Sequence, residues 1–304
     1  MMLTFDVIVI GAGVSGMTAS IYLKRANKNI LLIESGMFGG QINKTSIIEN
    51  YPGFVKIDGP TLASNMFNQI TNLEINYKLE TVRNLSISDN NFLVETDKSK
   101  YLAKKVIIAT GRIPRKLGLK NEDKLIGCGI SYCAYCDGFF FKNKDVAIVG
   151  GGNSALEEAL YLSDLCTKVY IIHRRNEFTA DEILQEKIKQ KSNIITKYNS
   201  IIKEVIESDN LLSKIVIERE NKEELLDVSG LFIYIGNIPK NDFLNELDLK
   251  MENNYIIADK NMKTSINGIY ACGDVIKKSA YQISTAIGEG ALAAISIIEE
   301  LKKE

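Results

Sequence analysis

The chain has 304 residues but a single histidine, His173, only five cysteines, and almost no charge imbalance: 37 Lys plus Arg stand against 38 Asp plus Glu, a formal net charge of −1. Each scarcity excludes something. A net charge so near zero leaves no electrostatic footprint for nucleic acid or an anionic membrane, so a small molecule or another protein is the expected partner. No apolar run approaches the roughly 20 residues that a bilayer-spanning helix needs. The early apolar stretch Phe5–Ile10 has no basic lead and runs straight into glycines, unlike a secretory signal. A cytoplasmic protein is therefore expected, with no membrane and no nucleic-acid partner. With one histidine, a proton needed for thiol chemistry is expected to come from another type of side chain. In a reducing cytosol five cysteines are not a structural framework, and a close pair there signals redox or metal chemistry. The only close pair is Cys133 and Cys136.

The length suits two domains rather than one. The chain opens with a predicted strand, Phe5-Asp6-Val7-Ile8-Val9-Ile10, then the turn Gly11-Ala12-Gly13-Val14-Ser15-Gly16, then a helix to about Ala26. A second strand, Ile30–Ile33, ends on Glu34. In such a turn Gly11 suits the tight bend, Gly13 the close approach of backbone to a pyrophosphate, and Gly16 the close packing of helix on strand, while Glu34 can accept from a ribose hydroxyl. A glycine triplet alone could be a plain turn. Strand, turn, helix, strand and terminal acid together form a dinucleotide fingerprint.

The pattern recurs in Val146–Val149, Gly150-Gly151-Gly152-Asn153-Ser154-Ala155, a helix to about Asp164 and the strand Val169–Ile172. Ala155 takes the third glycine's place, which the motif allows. Glu34 lies 23 positions after Gly11, and the same step from Gly150 reaches His173, with Arg174 and Arg175 immediately after it. An acid there would favour a free 2′-hydroxyl, whereas arginine accommodates a 2′-phosphate, so the second site is predicted to take NADP(H) and the two sites to hold different dinucleotides. The plainer alternative for the arginines is a solvated charge pair at a strand end.

A third region, Gly268-Ile269-Tyr270-Ala271-Cys272-Gly273-Asp274, precedes a helix predicted from about Tyr281 to Lys303 and suggests a further ligand contact. The strands Val106–Thr110 and Leu231–Ile235 each end at a glycine and continue into similar sequences, Gly111-Arg112-Ile113-Pro114-Arg115 and Gly236-Asn237-Ile238-Pro239-Lys240. These read as paired crossings between domains, which makes the second dinucleotide unit an insertion in the first. The expected division is 1–112 and 241–304 for the first domain and 113–240 for the inserted one. The fold class is α/β with two Rossmann-like dinucleotide-binding domains, one inside the other.

Cys133-Ala134-Tyr135-Cys136 is followed by Asp137-Gly138 and sits just before the second glycine-rich unit. A redox-active pair is the preferred reading, because the two-residue gap permits a small disulfide ring and local dipoles can stabilise a thiolate. A closed zinc site would need four ligands, and no second Cys pair or His cluster is present. Cys128, Cys133 and Cys136 also have the C-x4-C-x2-C spacing of plant-type ferredoxins, with Cys166 further on, but recruiting Cys166 would distort the second nucleotide unit. No metal is expected. Cys128, Cys166 and Cys272 otherwise read as small buried hydrophobes. Asp137 is the nearest acid to the pair and equally a turn-former in Asp-Gly.

Taken together, these residues resemble the low-molecular-weight thioredoxin reductases over essentially the whole chain. The motifs are Gly39-Gly40-Gln41 with Glu49-Asn50-Tyr51-Pro52-Gly53, Ala109-Thr110-Gly111, the Cys133–Gly138 segment, the second glycine loop, His173-Arg174-Arg175 with Phe178, and Cys272-Gly273-Asp274 with Gln282. The resemblance implies FAD in the first domain, with Glu34, Gln41, Asn50, Asp274 and Gln282 among its contacts, and NADPH and the disulfide in the inserted domain. It also implies a homodimer, thioredoxin as the partner reduced, Cys136 nearest the flavin, Cys133 as the attacking thiol, and Asp137 as the acid. Two positions depart from the family: Thr179 stands where a third coenzyme arginine follows the Phe, and Tyr281 precedes Gln282 where arginine is common. Glutathione-reductase-type relatives place their cysteines near the first glycine motif and use a C-terminal histidine, and neither feature is here. A ferredoxin-driven thioredoxin reductase would keep the cysteines and lose the coenzyme arginines. A flavin-containing sensing module with the dithiol as a switch is the alternative of a different class.

Overall fold

The computed structural model describes residues 3–45 and 47–303. The chain divides into two compact units, one made of Met1–Ile113 and Ile238–Glu304 and the other of Pro114–Asn237.

In the first unit the strand Leu3–Ile10 pairs in parallel with Ile30–Glu34 on one side and Lys100–Ile108 on the other, with Val9 opposite both Leu32 and Ile107. Val7, Ile8 and Val9 are fully buried, which is why the strand reads as an unbroken apolar run: both faces of a central parallel strand are covered. Asn76–Leu79 extends the sheet in parallel beyond Ile30–Glu34. On its far side Lys100–Ile108 pairs with Asn91–Thr96 along its first half and with Ile269–Ala271 along its second.

The helix Val14–Arg25 is buried along most of its length, and its hydroxyls return to their own backbone, Thr18 donating to the Val14 carbonyl at 2.7 Å and Ser20 to the Gly16 carbonyl at 2.8 Å. It packs against the helix Ile283–Leu301. The approach depends on a missing side chain: a Cβ on Gly290 would stand 2.2 Å from the Ser15 carbonyl oxygen. At the far end of the second helix, Glu300 gathers Lys105 at 2.9 Å, Lys263 at 3.0 Å and the Tyr270 hydroxyl, tying the helix to the sheet.

The second unit is built on a five-stranded sheet, all parallel, in the order Ile194–Lys197, Lys168–Ile172, Asp145–Gly150, Gly230–Tyr234, Ile130–Ser131. Alternation along its strands sends side chains to two different cores. Val146 and Ile148 join Leu156, Ala159 and Leu162 of the helix Asn153–Ser163. Ala147 and Val149 join Ile215 and Ile217 of an antiparallel sheet formed by Ser200–Ser208, Leu211–Arg219 and Lys222–Asp227. Helices thus cover one face and a small sheet the other. Among the described residues no helix is long and apolar enough to cross a membrane.

Candidate functional site

In the first unit the chain leaves Ile10 into Gly11, whose φ of +101° only glycine adopts without strain, and a Cβ there would lie 2.4 Å from the Ala109 carbonyl oxygen. Gly13 caps the helix Val14–Arg25 with no side-chain hydrogen bond, and nothing lies within 4 Å of where its Cβ would be. The helix N-terminus is therefore open for an anion to approach its free N–H groups. Glu34 braces this turn from the next strand: one carboxylate oxygen accepts the Ala12 N–H at 2.7 Å and the other the Gly36 N–H at 2.8 Å. A Cβ on Gly40 would stand 3.5 Å from the Gly13 Cα, so the two glycines are neighbours. Just behind Gly11, the Thr110 hydroxyl oxygen is buried without a hydrogen-bond partner.

The other residues singled out in this unit meet in two clusters. Asn50 donates to the Gln282 side-chain carbonyl at 3.3 Å, and Gln282 caps the helix Ile283–Leu301 in a reciprocal box with Thr285. Asp274 accepts from Arg112 at 2.8 and 3.2 Å and stands 3.4 Å from Lys278, while Gln41 donates to the Arg112 carbonyl at 2.8 Å. The Gly273 N–H donates to Glu289 at 2.9 Å. Burial pushes the Glu289 carboxyl above its usual range, against the pull of Lys278. Tyr281, which departs from the family pattern, has its ring 4.0 Å from the Arg112 guanidinium and packs near Tyr255. Sequence reasoning missed Arg112, Lys278 and Glu289. Arg112 directly follows the Ala109-Thr110-Gly111 motif, the one local signal that could have found it.

In the second unit a cleft of about 490 Å³ opens over the second glycine turn and is lined by Gly150, Gly152, His173, Arg174, Arg175 and Tyr234, among others. Gly152 caps the helix Asn153–Ser163 without a side-chain bond. His173 is buried behind this turn with Nε2 2.9 Å from the Glu177 carbonyl, and its ring fills the space that a Cβ on Gly151 would need. Burial, helped by Arg175 and Arg174, pushes the imidazole pKa below its usual value, so the ring is a neutral wedge and the arginines carry the charge. Both arginines are exposed. Thr179 fastens back to the same turn, its N–H and hydroxyl both donating to the Gly151 carbonyl at 2.8 and 3.1 Å. Asn153 exchanges two 2.8 Å bonds with Asp181, and Ser154 is exposed beside it.

The redox turn is also in this unit. Cys133 and Cys136 are joined in a disulfide, Cys133 buried and Cys136 exposed. Cys133 caps the short helix Ala134–Asp137, its sulfur accepting the Cys136 N–H at 3.2 Å. The Asp137 carboxylate accepts the Ser131 hydroxyl at 2.6 Å, and Ser131 Oγ accepts the Cys133 N–H at 3.0 Å, so this acid is wired to the backbone of the pair. Tyr234, at the end of its strand, accepts the Ala134 N–H at 2.8 Å. Cys166 is buried elsewhere and donates to the Phe141 carbonyl, and burial pushes its thiol up to about 11. Among the described residues no three His, Cys, Asp or Glu side chains cluster as metal ligands.

Comparison with known proteins places these features in one context. The family described as pyridine nucleotide-disulphide oxidoreductase matches residues 5–290. A thioredoxin reductase from Listeria innocua is 41% identical over 305 residues, which span 98% of this chain and 95% of the relative. The crystal structure of Lactococcus lactis thioredoxin reductase matches with a TM-score of 0.91 and 37% identity, covering 99% of this chain and 100% of that one. That of T. acidophilum thioredoxin reductase gives 0.88 and 32%, covering 98% and 99%. These neighbours bear out the α/β class with two Rossmann-like units.

Proposed function

Since the chain belongs to the pyridine nucleotide-disulphide oxidoreductase family, we propose that it is a thioredoxin-disulfide reductase that passes electrons from NADPH through FAD and the Cys133–Cys136 disulfide to thioredoxin. The observation that carries this reading is the pairing, within one unit, of a disulfide with a dinucleotide cleft whose charged lining is all arginine, Arg174 and Arg175 at the strand end with Arg115. The other unit has its own glycine turn, which ends on an acid instead. Two unlike dinucleotide sites and one disulfide suit electron transfer from one coenzyme, through a second, to sulfur.

The first unit fits FAD on two counts: the open space over Gly13 and the orphaned Thr110 hydroxyl. Gly13 would take the pyrophosphate in the turn that Gly11 bends and Gly16 packs, Glu34 a ribose, and Gly40, Gln41, Asn50, Gly273, Asp274 and Gln282 the rest of the group. When bound, FAD supplies a two-electron carrier between nicotinamide and disulfide. In the second unit Gly150, Gly152, Asn153 and Ser154 would receive the NADPH pyrophosphate and Arg174 and Arg175 its 2′-phosphate, with His173 holding the turn.

Two electrons then break the Cys133–Cys136 bond. Cys133 attacks the disulfide of thioredoxin, Cys136 closes the ring again, and Asp137 holds the proton that one sulfur gives or takes. Because Cys133 is the buried sulfur, the redox turn has to be uncovered before that attack. The same reading makes the protein a cytoplasmic homodimer, which light scattering of the purified protein checks. Steady-state NADPH oxidation that depends on added thioredoxin tests the function. Turnover with NADPH that ignores thioredoxin would reject it in favour of a sensing or otherwise atypical flavoprotein.

A further inference from the structure

One buried ionisable group beside the redox turn has no part in the chemistry above. Glu158 lies on the helix Asn153–Ser163, is 8% exposed, and faces the Cys133–Cys136 segment. Its carboxyl is faced by the Tyr234 hydroxyl and by the backbone N–H groups of Ala134 and Tyr135, the two residues between the cysteines, and each of these favours its charged form. Tyr234 is itself fixed to the turn, because its oxygen accepts the Ala134 N–H at 2.8 Å. The second carboxyl oxygen, Oε2, is buried and has no hydrogen-bond partner. No cation stands among the groups that act on this carboxyl, which are Tyr234, the Tyr135 and Ala134 backbone, and Glu157 next to it in its own helix. Asp137 is on the same turn but is held by Ser131.

A structural carboxylate would be expected to pair both oxygens or to face a cation. Glu158 does neither. Burial pushes its pKa up to about 7, so near neutral pH it is divided between charged and neutral forms. Tyr234 is pushed upward, chiefly by burial and then by Glu158, and remains a hydroxyl donor. A carboxyl so poised responds to any new negative charge close by, and reduction of the disulfide places a thiolate on that turn.

We propose that Glu158 is a proton-holding positioning residue of the redox couple: its carboxyl, joined through Tyr234 to the backbone of the Cys133–Cys136 turn, takes up a proton when the disulfide is reduced. Reduction breaks the S–S bond and adds two electrons to sulfur, with one proton on one sulfur and the other left as a thiolate. A second proton, from solvent, goes to a Glu158 carboxylate oxygen, so the thiolate faces a neutral acid instead of a second anion. The reverse step returns that proton as the disulfide re-forms. This rests on Cys133–Cys136 being the electron-carrying pair, but not on which coenzyme or partner exchanges electrons with it.

The test measures the disulfide–dithiol equilibrium of the holoenzyme in dithiothreitol redox buffers from pH 6 to pH 9, read by thiol trapping, with neither NADPH nor thioredoxin present. The reductant's own pH dependence cancels in the ratio of wild type to Glu158→Gln. Above the carboxyl's pKa the charged glutamate disfavours reduction, whereas glutamine does not. The wild-type equilibrium constant should therefore fall about threefold or more relative to Glu158→Gln between pH 6 and pH 9, the effect of a half-unit or larger coupling. Tyr234→Phe keeps the carboxyl but removes a hydroxyl that favours its charged form, so the break should persist and move to higher pH. A ratio that does not change with pH, or a break unmoved in Tyr234→Phe, overturns the proposal while leaving the pair's redox role intact. A disulfide that dithiothreitol cannot reduce overturns that role, and the proposal with it.

Discussion

Single side chains divide the work in the second unit between holding the turn and carrying charge. His173 and Thr179 hold Gly151 in place, one as a buried neutral ring and the other through two bonds to the carbonyl. Arg174 and Arg175 do not shape the turn and are exposed in the cleft. Replacing both arginines with glutamine should therefore raise the Michaelis constant for NADPH, by roughly tenfold or more if bonds to a charged phosphate of about 1.5–3 kcal/mol are lost, and leave that for NADH nearly unchanged. Equal use of NADH and NADPH by wild type would refute the arginine assignment. Thr179→Arg should tighten NADPH, but only in part, since it also removes a fastening of Gly151. The two sulfurs should separate in the same way. Cys133→Ser should leave FAD reduction by NADPH intact, abolish thioredoxin reduction, and allow a long-wavelength charge-transfer band from Cys136. Cys136→Ser should be inactive with thioredoxin and lack the band. Rapid-mixing absorbance distinguishes the two, and a band confined to Cys136→Ser reverses the assignment. Asp137→Asn should slow the dithiol step by about 10²–10⁴-fold and flavin reduction much less.

At the scale of elements, what the sequence made legible was what is local. The apolar run before Gly11, the two glycine turns and the acid at the end of Ile30–Glu34 report backbone requirements met within a few dozen residues, and each element formed where its pattern said. Boundaries moved by a residue or two: Ala109 and Thr110 lie beyond the end of the strand Lys100–Ile108, because there the chain turns against Gly11. Contacts between distant segments were not legible. Arg112 and Asp274 are 162 residues apart, and nothing in either motif names the other. The Glu300 cluster is of this kind, and its consequence is a pH dependence. Burial raises the Glu300 pKa, but hydrogen bonds from Tyr270, Lys105 and Lys263 outweigh it and hold the carboxyl at about 2, below the ordinary 4.5. A depressed carboxylate pKa stabilises the fold above the unfolded value, and that stability is lost as pH falls from about 4.5 towards about 2. Glu300→Gln should therefore cost about 1–3 kcal/mol at pH 7, as expected for bonds to a charged group, and the difference from wild type should shrink between pH 5 and pH 3. Urea unfolding at several pH values measures it, and a difference independent of pH would reject the charge as its source.

For the molecule as a whole, the decisive feature is that each unit has hydrophobic cores of its own. Every residue of the two cores beneath and above the five-stranded sheet lies within Pro114–Asn237, and every residue of the other two lies outside it. Pro114–Asn237 is also one continuous stretch of chain, whereas the first unit is made of two pieces whose sheet is completed by Ile269–Ala271 and whose first helix packs on the last one. The two should therefore differ sharply when isolated. A fragment of residues 114–237 keeps its whole sheet, both of its cores, the glycine turn, both arginines and the disulfide. It should unfold in urea as a single cooperative transition, with a slope of about 1–3 kcal/mol/M as small domains show. Added NADPH should raise its midpoint through binding to the folded state alone, and the double arginine variant should weaken that shift. Residues 3–113 alone would lack the strand and helix that close the first unit and should show no cooperative transition. A fragment of 114–237 that melts gradually, without a midpoint, would mean that its cores are not sufficient and that its fold depends on the rest of the chain.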